Sequence, residues 1–165
     1  MKKITYIDEV EIKNKQILIR VDFDVSLNPD YSIANDVRIK QNLPTLKYLL
    51  KNKNRLICVA KLNRPKTRDP KHSLKPVVKR LQEYLPDYKI ILIDDFLTCD
   101  QKVFKEQKEK EILVLENISF YKKEKDYSTI FAKQLSSLAN IYVNDAFAVS
   151  HRSDTSVIGP PKFIP

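Results

Sequence analysis

Four of the arginines, Arg20, Arg38, Arg64 and Arg152, stand among residues whose types suit the capture of a multiply charged anion. Arg20 opens Arg20-Val21-Asp22-Phe23-Asp24, Arg64 follows Lys61-Leu62-Asn63, and His151 precedes Arg152. Ser119 lies in Glu116-Asn117-Ile118-Ser119-Phe120. A guanidinium presents its donors in a planar fork and takes phosphate or carboxylate oxygens in bidentate pairs. One such arginine is ordinarily a solvated surface charge. Several of them close to carboxylates and amides point to an anion held by side chains.

The balance of charge agrees with an anionic partner. Thirty Lys+Arg against twenty-one Asp+Glu give a formal net charge of +9, which fits phosphorylated metabolites, nucleic acid or an acidic surface. Gly159 is the one glycine in 165 residues, so no Walker A loop or dinucleotide fingerprint can bring backbone against a phosphate. Cys58, Cys99, His72 and His151 are too dispersed for a four-ligand zinc site, and two unpaired cysteines suit a reducing compartment. No stretch reaches membrane-spanning length, and Met1-Lys2-Lys3-Ile4-Thr5 lacks the apolar core of a signal peptide. A cytoplasmic, monomeric protein with no membrane partner is expected.

The elements that must position these residues are legible as periodicity. Apolar, β-branched runs at Ile17 to Phe23, Leu56 to Ala60, Ile90 to Ile93, Ile112 to Leu115 and Ile141 to Val143 predict buried strands. Between them, 38–51, 74–85, 100–110 and 128–138 carry apolar residues at helical spacing, as in Leu74, Val77, Val78, Leu81 and Leu85. Pro44 removes a backbone donor inside the first of these, so the helix either starts again there or, the preferred reading, is kinked there. Strands that are apolar throughout and alternate with helices predict an α/β fold. It is a three-layer, doubly wound (Rossmann-like), mainly parallel sheet with helices on both faces, in one domain spanning 1–165.

Ligands bind open α/β sheets beyond the carboxyl ends of the strands, and the polar segments fall there. RVDFDVSL from Arg20, DVRI from Asp36, AKLNRP from Ala60, LENISF from Leu115 and VNDAFAVSHRSDTS from Val143 occur in that order. HSLKPVVKRL from His72 and FAKQLSSLA from Phe131 lie between them. In these motifs the whole chain resembles the N-terminal domain of phosphoglycerate kinase.

The resemblance implies a kinase that moves the acyl phosphate of 1,3-bisphosphoglycerate onto ADP in glycolysis, giving 3-phosphoglycerate and ATP. It implies that 1–165 is the phosphoglycerate-binding domain and that Mg-ADP or Mg-ATP is held by a C-terminal domain absent from this chain. No cofactor or metal is then expected on these residues, and the isolated chain is expected to be inactive. Arg38 matches the catalytic arginine that stabilises charge on the transferring phosphoryl group. Arg20, Asp22, Asp24, Lys61, Asn63, Arg64, Ser119, His151 and Arg152 match the other phosphoglycerate-binding positions, with Asp22 binding substrate oxygens or orienting an arginine. Asp145 at a strand end is weighed against a plain capping role.

Departures from the family pattern fall on the same patch. Asp24 replaces an Asn and would repel an anion unless paired with Arg20 or Arg64. Ser119 replaces an arginine, Lys61 a His and Asp154 a second His. Asn63 replaces a Gly and can take the left-handed conformation, whereas Ala148, also at a Gly position, would be strained if positive φ is required there. These losses leave open a pseudoenzyme or regulatory binding domain with the same fold. A nucleic-acid-binding domain ranks below both, because the lysine-rich stretches 102–110 and 122–125 also contain Glu106, Glu109 and Glu124, as a solvated mixed-charge face would.

Overall fold

The computed structural model describes residues 5–165, so the reading of Met1 to Ile4 lies outside the described residues. Five parallel strands form the main sheet: β1 (Gln16–Arg20), β4 (Arg55–Val59), β5 (Lys89–Ile93), β6 (Glu111–Leu115) and β7 (Ile141–Asn144). Their spatial order is β5-β6-β4-β1-β7, with all four pairings parallel. Each coincides with a run picked out by β-branched composition. A short antiparallel hairpin, β2 (Ser26–Leu27) with β3 (Ile33–Asn35), carries the chain from β1 into the first helix. Sequence periodicity does not reveal it, because two- and three-residue strands are shorter than any pattern.

The strands are apolar throughout because both faces are covered. Ile17, Ile19, Leu56, Cys58, Ile112 and Val114 face one core, which α1 (Val37–Lys51) and α2 (Lys75–Tyr84) close with Ile39, Leu46, Leu49, Val77 and Leu81. Leu18, Ile57, Val59, Leu113 and Leu115 face the other, closed by Phe104 of α3 (Lys102–Lys105) and by Phe131 and Leu135 of α5 (Thr129–Ser136). Two short helices, α4 (Lys122–Lys125) and α6 (Thr155–Ile158), complete that side. The three-layer architecture is thereby established residue by residue. Among the described residues no helix is long and apolar enough to cross a membrane.

One helical expectation changes. The helix over 100–110 shrinks to Lys102–Lys105. Beyond it the chain turns to bring Gln107, 4% exposed, to the sheet, where Nε2 donates to the carbonyls of Leu56 (3.0 Å) and Glu111 (2.9 Å). That side chain satisfies backbone groups at the strand entrances, a need local periodicity does not report. Pro44 lies inside one continuous α1, so the helix neither stops nor restarts there.

Candidate anion-binding site

The carboxyl ends of β1, β4, β6 and β7 line up at one edge of the sheet. Beyond β1, backbone pairing continues as Val21 N–H donates to the Val59 carbonyl at 3.0 Å. This fixes Asp22 and Asp24 on the same side of the chain, with Val21 and Phe23 buried on the other. Asp22 Oδ2 accepts from Arg38 Nη1 at 2.6 Å. Arg38 stands in the first turn of α1 with its side chain 47% exposed, so the carboxylate aims the guanidinium without covering it. The same pairing raises the Arg38 pKa, by hydrogen bond first and by charge second.

Asn42, one turn along α1 and 3% exposed, locks this arrangement. Its amide nitrogen donates to the carbonyls of Asp22 (3.1 Å) and Arg38 (2.8 Å), and its oxygen accepts from Asp22 N–H at 3.2 Å. Sequence reasoning assigned Asn42 nothing, although a buried amide on an apolar helix face four residues after Arg38 was a visible signal. The start of α1 is clamped to α2 through Asp36, which accepts from Lys40 (3.0 Å), Arg80 (2.7 Å) and the Tyr84 hydroxyl. The tyrosine bond above all, helped by the cations, holds the Asp36 carboxyl down at about 2.

Asp24 finds neither of the partners expected for it. Its carboxylate pairs with Lys61, from the end of β4, and accepts from Asn63 N–H at 2.7 Å. Burial alone would raise the Asp24 pKa, but the Lys61 bond and the Asn63 amide outweigh it and hold the group below its ordinary value. The charge is thus cancelled within the site, and repulsion of an anion is relieved by a lysine rather than by Arg20 or Arg64. Asn63 has φ of 58°, so the amide residue does sustain the left-handed turn. Its side chain meets His72 Nδ1 at 3.3 Å.

The loop after β4 is pinned from β6. Asn117, fully buried, accepts from Leu62 N–H (3.1 Å) and donates to the carbonyls of Leu62 (2.7 Å) and His72 (2.9 Å). It also accepts from Ser119 N–H at 3.1 Å, which fixes the Ile118–Phe120 turn against the same loop. Its neighbour Glu116 takes Ser73 Oγ at 2.6 Å and Leu74 N–H at 2.7 Å, holding the entry to α2. Ser119 brings no cation to the site. Arg64 is exposed, and no carboxylate pairs with it among the described residues.

At the end of β7, Asp145 turns toward α1 and accepts from Thr45 Oγ1 at 3.0 Å, a side-chain bond to the middle of that helix and not the cap weighed for it. Ala148 lies in the Phe147–Val149 turn and is not among the residues with positive φ, so its side chain brings no strain there. His151 is exposed and Arg152 half-buried, its Nε without a partner among the described residues.

Arg20 does not join this edge. Strand alternation turns it to the face of Leu18, where it is 1% exposed and donates through Nε to Ser156 Oγ at 3.0 Å and through Nη1 to the Val21 carbonyl at 2.6 Å. Ser156 in turn donates from N–H to Glu124 Oε2 at 2.8 Å and from its hydroxyl to Oε1. Glu124 is therefore buried, at 3% exposure, and belongs to no solvated mixed-charge face. Burial pushes its carboxyl up to about 7, against the pull of Ser156 and Arg20.

Arg38 opens α1, Arg64 follows β4, and His151 and Arg152 follow β7, with the carboxylate of Asp22 aiming Arg38 and that of Asp24 neutralised. An open groove of ≈ 310 Å³ lies under Arg38, lined also by Asp24, Ser26, Asn35, Val37 and Gln41. A larger one of ≈ 360 Å³ beyond β5 is lined by Asp94, Asp95 and Asp100, the wrong sign for an anion. The single glycine is closely packed, a Cβ there falling 2.4 Å from the Thr155 carbonyl and 2.6 Å from Ala132 Cβ. No group of three or more Asp, Glu, His or Cys able to hold a metal occurs among the described residues.

The sequence and the fold both have relatives. Residues 7–165 match the family model described as phosphoglycerate kinase. The chain is 41% identical over 157 residues to the phosphoglycerate kinase of Aquifex aeolicus, covering 94% of this chain and 39% of that protein. It is 40% identical over 163 residues to the cytosolic phosphoglycerate kinase of Nicotiana tabacum, covering 99% and 41% respectively. The solved structure of phosphoglycerate kinase from Coxiella burnetii superposes with a TM-score of 0.81 at 30% identity, covering 96% of this chain and 39% of that one. The chain thus spans about two fifths of the length of the relatives it matches.

Proposed function

Because this chain belongs to the phosphoglycerate kinase family, we propose that residues 1–165 are its phosphoglycerate-binding domain. They serve reversible phosphoryl transfer between 1,3-bisphosphoglycerate and ADP. The observation that carries the reading is Arg38, anchored by Asp22 at 2.6 Å and by Asn42 beneath it while half of its side chain stays open to an incoming ligand.

In this reading Arg38 is the catalytic residue. A guanidinium fixed before substrate arrives meets charge on the transferring group without reorganising, which is how phosphoryl-transfer sites gain most of their rate. Arg64, Arg152 and His151 take the remaining oxygens of the anion, and Asp22 positions Arg38. The Lys61–Asp24 pair adds no net charge and holds the loop through Asn63. Mg-nucleotide comes from a part of the enzyme outside these residues, so this chain alone binds phosphoglycerate without turning it over.

Calorimetric titration with 3-phosphoglycerate at low and moderate salt tests the reading, with backbone amide shifts followed in parallel. Saturable heat, with shifts at Arg38, Arg64 and Arg152, is the expected result. Absence of binding at low salt overturns it in favour of a fold kept after its ligand was lost, for which Ser119, without a cation, is the specific support.

A further inference from the structure

Resting on the reading of this edge as a phosphoglycerate site, we propose that Arg68 is an additional binding residue, gripping the phosphoryl oxygens at the β6 side. The Ile118–Phe120 turn contributes only Ile, Ser and Phe, so the carboxyl end of β6 supplies no charge of its own. The cation arrives from the loop after β4. The guanidinium of Arg68 lies over the Phe120 ring, 5.5 Å from its centroid, immediately beside Ser119.

Arg68 is held there and still has donors to give. Its Nη2 makes both bonds to Asp94, at 2.6 Å to the carbonyl and 2.6 Å to Oδ1. Neither Nη1 nor Nε meets a protein acceptor among the described residues, and the side chain is 41% exposed. Asp94 is 83% exposed, so water screens most of its charge and the pair positions the arginine more than it neutralises it. The Asn117 side chain ties Ser119 to Leu62 and His72, the two ends of the loop that carries both Arg64 and Arg68. In the strand order β5-β6-β4-β1 the guanidinium spans the ends of β5, through Asp94, and β6, through Phe120, and the Lys61–Arg64 segment follows β4, the next strand over; adjacent strands are about 4.8 Å apart. That suits a ligand bearing a carboxylate at one end and a phosphate at the other, with Arg38 and Arg68 at opposite ends of the row.

The test compares R68A, R38A and K51A, the last removing an exposed charge at the far end of α1, by calorimetry with two probes: 3-phosphoglycerate and D-glycerate, which lacks the phosphate. Circular dichroism checks that each variant is folded. R68A is expected to weaken 3-phosphoglycerate binding by roughly tenfold, the effect of one lost charge-assisted pair, while leaving D-glycerate and the K51A control unchanged. If R38A weakens binding and R68A does not, or if R68A loses no more than K51A, the role of Arg68 is overturned and the site reading stands. If the unaltered chain binds no 3-phosphoglycerate, both fall together.

Discussion

Lys61 and Asp24 form an ion pair that joins the end of β4 to the chain leaving β1, with the lysine side chain 11% and the aspartate side chain 21% exposed. Removing one partner of a largely buried pair leaves an uncompensated charge, whereas removing both does not. K61M is therefore expected to lose about 1–3 kcal/mol of stability, and D24N/K61M to recover most of it. Urea unfolding of K61M, D24N and the double variant measures this; equal losses in K61M and the double variant would show that the pair is not coupled.

The left-handed conformation of Asn63 makes a separate test. Gly is at ease at a φ of 58°, while a β-branched residue is strained there by about 1–2 kcal/mol. N63G should keep the melting temperature within a few degrees and N63V should lower it clearly, because the Asn63 amide must still reach Asp24. Thermal unfolding followed by circular dichroism decides between them.

Arg38 is half exposed, and its pair with Asp22 contributes on the order of 1 kcal/mol or less to folding. R38A is expected to leave the thermal midpoint nearly unchanged while weakening 3-phosphoglycerate binding by roughly tenfold or more. Unchanged affinity in a folded R38A would remove it from the site.

Glu124 carries the pH dependence. Its folded pKa of about 7 lies above the ordinary 4.5, so its contribution to stability is fully present below 4.5 and is lost as pH rises through 7. E124Q, which still accepts from Ser156, should match the parent protein near pH 4.5 and exceed it at pH 8 by on the order of 2 kcal/mol. Denaturant midpoints across that range are the measurement, and parallel pH profiles would contradict the assignment.

Much of the fold was already written in local pattern. The five strands follow from β-branched runs, α1, α2 and α5 from three- and four-residue apolar spacing, and the two-sided core from strands with no polar face. The motifs placed Asp22, Lys61, Arg64 and Arg152 after strand ends and Arg38 at a helix start, and the glycine count removed a backbone phosphate cradle.

What the sequence could not settle was which charge would meet which. Asp24 takes Lys61, 37 positions away, rather than Arg20 or Arg64. Arg20 turns inward to Ser156, 136 positions away, and Glu124 goes with it. Gln107 ends a helix early to reach Leu56, and Arg68 finds Asp94 and Phe120. Each of these follows from strand order and register, which bring together residues far apart in the chain. Hydrophobic periodicity acts over a few residues and sets the elements; a charge buried at a strand end takes whatever partner the neighbouring strand delivers, and that is decided only when the sheet is assembled.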